Sequence, residues 1–311
     1  MRSAETGGFL HAAAHVVAAV ALLGLIDNFV RLIAAEAGLW QFHITRSAMV
    51  AVVLWLGARL IGWRLWPRRP GWVAVRSAVL SGAMMIYFAA LAFMPIAQVA
   101  AGLFTSPIFV LILSVLVLRE RVGPWRIAAV ALGFLGVLLV LEPWKSGLSA
   151  LALMPVAAGA LYAVQALVTR HRCAEETTMS LQAGFFAAVA AWGLLGAGFV
   201  HLALPEPGTG FASRGLVAPT PAFWLWTTVQ ALGSLAALAL LTRGYQMAEP
   251  SRLAVFEYSF LGFASLWAWV LWGEALSSLG YAGLALIAVA GAVISLRSGL
   301  PEAAARKAAA P

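Results

Sequence analysis

Ten stretches of this chain are each apolar over about the length a helix needs to cross a bilayer, and that feature decides what it can fold into. About 20 mainly apolar residues span the roughly 30 Å hydrocarbon layer. The stretches are 12–34, 40–62, 73–93, 97–118, 126–142, 149–169, 179–203, 223–243, 252–273 and 279–296. In lipid every backbone polar group must find its partner within its own segment, so all ten are expected to be helices. A water-soluble fold is excluded by composition. The chain is 63% apolar and 10% charged, against about 45–50% and about 25% in soluble chains. The expected fold is therefore an all-α polytopic membrane protein.

Charge placement orients the segments. Of the 20 lysines and arginines, sixteen fall on one side if the N-terminus is cytoplasmic. They are Arg2, Arg59, Arg64, Arg68, Arg69, Arg76, Arg119, Arg121, Arg126, Arg170, Arg172, Arg243, Arg252, Arg297, Arg306 and Lys307. Lys145 and Arg214 fall on the other side, and Arg31 and Arg46 within segments. Such a bias predicts cytoplasmic N- and C-termini. Trp63, Trp66, Trp72 and Trp125 then fall at the inner boundary, and Trp40, Trp144, Trp224 and Trp226 at the outer one, as interfacial belts. The formal net charge of +8 sits at segment ends, so it reads as membrane topology and not as a nucleic-acid surface. Met1 to Gly8 is short and polar, and the first apolar stretch is long enough to remain as a spanning helix, so no cleaved signal peptide is expected.

The chain also resembles itself. A shift of 154 positions pairs Phe109 with Phe263, Glu120 with Glu274, Ala128 with Ala282 and Leu132 with Leu286; one inserted residue then pairs Gly136 with Gly291. Gly24-x-x-Asp27 in the first segment matches Gly159-x-x-Tyr162 in the sixth. Ten helices in two similar halves give five per half, and an odd number turns the second half upside down. The expected organisation is two inverted repeats, 1–146 and 147–311, the second carrying a short cytoplasmic tail. Inverted repeats are characteristic of secondary transporters, with the site near the midplane between halves.

Two helix–turn–helix units, each with a glutamate after its apolar helix (Glu120, Glu274) and a small-residue-rich helix following, carry a further signal. With the Gly24–Asn28 region and Pro107, they make the chain resemble the drug/metabolite transporter superfamily, in its ten-helix EamA-type branch. The resemblance runs over residues 12–297. Leu261 stands where the shift would place a match to Pro107, so the second half departs from the pattern there. The resemblance implies a multi-pass protein of the bacterial inner membrane that exports amino acids, drugs or other small metabolites, or imports sugars. Within that range the chain is similar to amino-acid exporters, including those for aromatic amino acids. It also implies a pathway lined by helices one, three, four, six, eight and nine.

Polar residues at depth are the candidates for the pathway, because charges inside a membrane usually face a cavity or one another. Asp27 and Arg31 are four apart and expected to share a face and pair; together they could hold a zwitterion's ammonium and carboxylate. Arg46, about two turns into the second segment, is expected to order helices or reach the outer interface. Glu257, with no opposite charge one turn away, suits proton coupling; its structural alternative is a pair with Arg243 or Arg252. Asn28, Gln98, Gln165, Gln230 and Ser234 are neutral polar candidates, and Thr105 and Ser106 either line the pathway or bond neighbouring backbone. Tyr87, Tyr162, Tyr258 and Trp267 could form an aromatic-tolerant pocket, a mixture typical of small-molecule sites. Pro107 is expected to kink the fourth helix and act as a hinge or gate. Glu120 and Glu274 read as helix-start caps or partners of nearby arginines, and runs such as Gly133-x-x-Gly136 as close helix contacts.

The expected partners are a small-molecule substrate and the lipid bilayer, with no nucleic acid and no cofactor. No Gly-x-x-x-x-Gly-Lys-Ser/Thr loop occurs, which argues against ATP. His11, His15, His43, His171 and His201 lack metal-ligand spacing, and lone Cys173 argues against a cysteine metal site; His43 is expected at the outer interface. The function that emerges is alternating-access export of a small metabolite, amino acids first, with no enzymatic reaction. Alternatives are an integral membrane enzyme acting on a lipid-linked substrate, an exporter of drugs or other metabolites, and a passive channel.

Overall fold

The computed structural model describes residues 2–90, 96–146, 151, 153–203 and 208–297. Its elements are the helices α1 (Arg2–Asp27), α2 (Val30–Glu36), α3 (Leu39–Leu60), α4 (Pro70–Ala90), α5 (Ile96–Leu103), α6 (Ser106–Leu116) and α7 (Pro124–Leu141). A 3-10 turn (Pro143–Ser146) follows, then α8 (Leu153–Arg172), α9 (Thr178–Ala203), α10 (Pro221–Met247), α11 (Pro250–Glu257), α12 (Ser259–Trp272) and α13 (Ser278–Arg297). Among the described residues these make 10 spans long and apolar enough to cross a membrane. The expected ten are found, with ends moved by a few residues. Pro205 and Pro207, between spans seven and eight, and the tail cations Arg306 and Lys307 lie outside the described residues.

Local chemistry sets the ends. Proline opens α4, α6, α7, α10 and α11 at or next to the first helical residue, where its missing N–H would have no partner anyway. Thr220 caps α10 by accepting from the Phe223 N–H at 3.1 Å. Gly273 ends α12 with φ +72°, a left-handed conformation that glycine adopts without a Cβ clash. The buried Glu176 carboxylate fixes the connection between α3 and α4, accepting from the N–H groups of Arg68 (2.9 Å) and Arg69 (2.6 Å).

Among the described residues three spans are interrupted. Span one breaks at Asn28–Phe29, span four at Phe104–Thr105 and span nine at Tyr258. At each break the backbone tightens to i→i−3 bonds: Phe29 to Ile26, Thr105 to Gly102, and Tyr258 to Val255. Hydroxyls reinforce two of them. Thr105 donates to the Gly102 carbonyl and Ser259 to the Phe256 carbonyl, each at 2.6 Å. The 154-residue shift carries one bond onto the other. Span nine therefore bends at the equivalent place without a proline. Pro107 begins α6 and does not kink a continuous helix.

The main helix pairs are spans five with ten, one with eight, three with six, two with seven, one with nine, four with six, three with seven and two with eight. Exchanging one with six, two with seven, three with eight, four with nine and five with ten leaves this set unchanged. Spans five and ten form a flank of their own, packed through Ala129, Val130, Val137, Ile287, Ala290 and Ile294. Trp66, Trp72, Trp125, Trp144 and Trp224 are exposed, as belts require. Trp40 and Trp226 are turned to other work: one donates to the Ala212 carbonyl and the other stacks on Phe29 at 4.6 Å.

Candidate functional site

Buried polar side chains gather in two layers of the bundle, one toward each membrane face. The first lies where α1 ends, α3 begins, α4 ends and α10 begins. Gln230 of α10, 1% exposed, donates to the Ile26 carbonyl at 2.9 Å and to Asp27 at 3.1 Å. Asn28 donates to the carbonyls of Gly24 (2.7 Å) and Ala264 (3.2 Å), tying the span-one break to α12. Gly24 makes that approach possible, since a Cβ there would stand 2.8 Å from the Ala264 nitrogen. Asp27 keeps an accessible face despite this crowding.

Asp27 and Arg31 do not pair, contrary to the helical spacing. The break between them ends the shared face, and Arg31 instead meets Glu274 at 2.8 Å with its guanidinium over Trp272. That pair is half-exposed, where an ion pair contributes little. The cation whose charge acts on Asp27 is Arg46. Arg46 does not reach for the interface. It sits 3.2 Å from His43 Nδ1 and against the rings of Phe42 and Phe186. His43 is fully buried and not interfacial, edge-on to Phe88. Tyr87 adjoins this layer through Phe88.

The second layer lies between α4, α8, α9, α10 and α11. Its centre is Arg76, counted above among the cytoplasmic charges but 3% exposed inside α4. Nε donates to Thr169 Oγ1 at 2.9 Å, Nη2 to Thr242 Oγ1 at 3.0 Å and Nη1 to the Leu181 carbonyl at 3.3 Å. Gln182 donates to the same Thr242 hydroxyl at 3.0 Å. Glu257 pairs with neither Arg243 nor Arg252 in any ion pair of the described residues. Its carboxylate accepts from the hydroxyl of Tyr245, and Tyr162 is its neighbour. A cavity of about 20 Å³ bounded by Arg76, Tyr162, Gln165, Thr169, Thr242 and Tyr245 lies beside them, room for about one water.

The remaining candidates stand apart. Gln98 donates to the Pro143 carbonyl at the end of α7, outside both layers. Tyr258 is fully buried against Phe104 and Gly133, in the span-five and span-ten flank. Trp267 is half-buried on α12. Thr105 packs on Gly159, and Ser106 is buried beside it. Ser234 is buried on α10, its hydroxyl donating to the Ala231 carbonyl. The expected aromatic pocket is thus divided: Tyr87 in one layer, Tyr162 in the other, Tyr258 in neither. Arg76, Thr169, Gln182, Thr242 and Tyr245 were missed by the sequence reading. One signal was available, because the 154-residue shift lays Arg76 onto Gln230.

Ten spans, interrupted helices and buried polar layers make a multi-pass membrane protein. Residues 11–142 match the EamA-like transporter family. The riboflavin transporter of Brucella anthropi is 28% identical over 250 residues, 80% of this chain and 83% of that protein. The riboflavin transporter of Rhizobium johnstonii is 31% identical over 201 residues, 65% of this chain and 62% of its own. The pseudopaline exporter CntI of Pseudomonas aeruginosa is 28% identical over 256 residues, 79% and 82% of the two chains. A protein of known crystal structure shares the fold with a TM-score of 0.75 at 22% identity, over 92% of this chain and 97% of that one. The chain is a bacterial membrane protein that transports small metabolites, and not an enzyme.

Proposed function

We propose that the chain exports a small metabolite, amino acids first, across the inner membrane by alternating access between two inverted halves, 1–146 and 147–311, with both termini cytoplasmic. The observation that carries this reading is the matched interruption of spans four and nine, each tightened by a hydroxyl 154 residues from its counterpart. The unchanged set of helix pairs under exchange of halves supports it. Irregular backbone at membrane depth is tolerated where it borders protein or a cavity, and transporter sites are built at such breaks. The pathway then runs from Asp27, Asn28, Tyr87 and Gln230 to Tyr162, Gln165 and Glu257, past the break carrying Thr105 and Ser106. The accessible Asp27 against a second layer holding about one water supports a state open on one side only.

Uptake into proteoliposomes tests this across an amino-acid panel with riboflavin alongside, with and without a pH gradient. Saturable flux of at least one amino acid, driven by the gradient through Glu257, is the expected result. Riboflavin flux with no amino-acid flux would overturn the substrate assignment in favour of the relatives' cargo. A flux indifferent to the gradient would end the proton role of Glu257.

A further inference from the structure

The second layer holds a cation that no carboxylate touches. Arg76 takes part in none of the ion pairs among the described residues. Its three acceptors are two hydroxyls and a carbonyl, all neutral. A guanidinium carries five N–H groups, so two remain with no acceptor among the described residues. A buried charge lacking a counter-charge is strongly disfavoured, and more so within a membrane.

Bracing helices does not require that charge. At the position equivalent by the 154-residue shift, Gln230 bridges Ile26 and Asp27 with a neutral amide. What Arg76 adds is a positive fork on the wall of a cavity, with the geometry that suits carboxylate and phosphate oxygens. Glu257 does not line that cavity. Tyr162 and Tyr245 stand on its wall, and Tyr245 donates to the Glu257 carboxylate.

We propose that Arg76 is the anion subsite of the transport pathway, its two spare N–H groups taking a carboxylate or phosphate of the cargo while Thr169 and Thr242 hold the guanidinium in place. The present cavity of about 20 Å³ is the closed form of this subsite, which admits the anion when the layer opens. The inference rests on the transport reading and adds to it that the cargo carries an anionic group. An amino acid meets the requirement through its carboxylate; a flavin meets it only as a phosphate ester.

Thermal unfolding of the purified protein in detergent tests this with paired probes: L-phenylalanine against L-phenylalaninamide, and riboflavin 5′-phosphate against riboflavin. In the wild-type protein the anionic member of a pair should raise Tm and its neutralised partner should not, and the responding pair tells carboxylate from phosphate. Arg76→Gln should weaken anion binding about tenfold to a hundredfold, the loss of a hydrogen bond to a charged group, and abolish the preference. Arg76→Lys keeps the charge and should keep the preference at lower affinity, so it decides the matter if Arg76→Gln does not fold. If no anionic probe outdoes its partner in the wild type, or folded Arg76→Gln retains the preference, the subsite is overturned. Preference in binding without flux in liposomes would overturn the transport reading alone. Flux indifferent to the cargo's anionic group would overturn the subsite alone.

Discussion

Glu142 shows how much one side chain outside the bilayer can hold. It ends α7 with φ 44° and ψ 52°, a left-handed conformation that disfavours any residue with a Cβ. Its carboxylate accepts from Lys145 Nζ at 2.7 Å and from Ser277 Oγ at 2.6 Å, linking the span-five end to the start of α13. Lys145, and then Ser277, hold its pKa below the ordinary value of 4.5. A depressed pKa in the folded state means that these contacts stabilise above the unfolded value, and that their contribution is lost as pH falls through the folded one. Tm in detergent should therefore drop as pH is lowered below about 4.5, and Glu142→Gln should flatten that part of the profile. An unchanged acid limb would refute the assignment. Nothing in the sequence marked Glu142, because its partner Ser277 lies 135 residues away.

At the scale of elements, close approach of backbones governs the flank of spans five and ten. A Cβ on Gly136 would stand 2.6 Å from the Gly283 carbonyl oxygen, and one on Gly283 would stand 2.5 Å from that of Gly136. Gly136→Val must push the helices apart, at a cost of about 1–3 kcal/mol typical of overpacking. SDS-induced unfolding should show the loss, and a variant as stable as the wild type would contradict the contact. The Gly133-x-x-Gly136 run was legible as a helix contact, since small residues four turns of lipid-facing helix would not otherwise need are a local signal. Its partners were not legible: Gly133 receives Tyr258, and Gly136 receives Gly283 and Ile287. The breaks divide the same way. Pro107 drew attention to span four, while the break at Tyr258 depends on a hydroxyl and on packing that no residue type announces.

For the whole molecule, hydropathy gave the ten spans because the bilayer makes a demand that each segment answers alone. Charge counting is coarser, and it placed Arg76 with the loop cations when Arg76 lies inside α4, bonded by three other spans. Which polar residues meet is a property of packing, so Gln230 and Asp27 could be nominated separately but not joined. In the proposed transport cycle the two layers open in turn.

Two positions on α10 report on them: Thr227, fully buried one turn from Gln230, and Leu238, on the wall of the Arg76 cavity. They are about 16 Å apart at 1.5 Å per residue. With the single cysteine Cys173 replaced by serine, Thr227→Cys and Leu238→Cys can each be titrated with a membrane-impermeant thiol reagent from either face. The account predicts that Thr227→Cys reacts only from the face where α10 begins and Leu238→Cys only from the other, and that bound cargo shifts the two rates in opposite directions. Reaction of both from one face, or rates that cargo leaves unchanged, would contradict it.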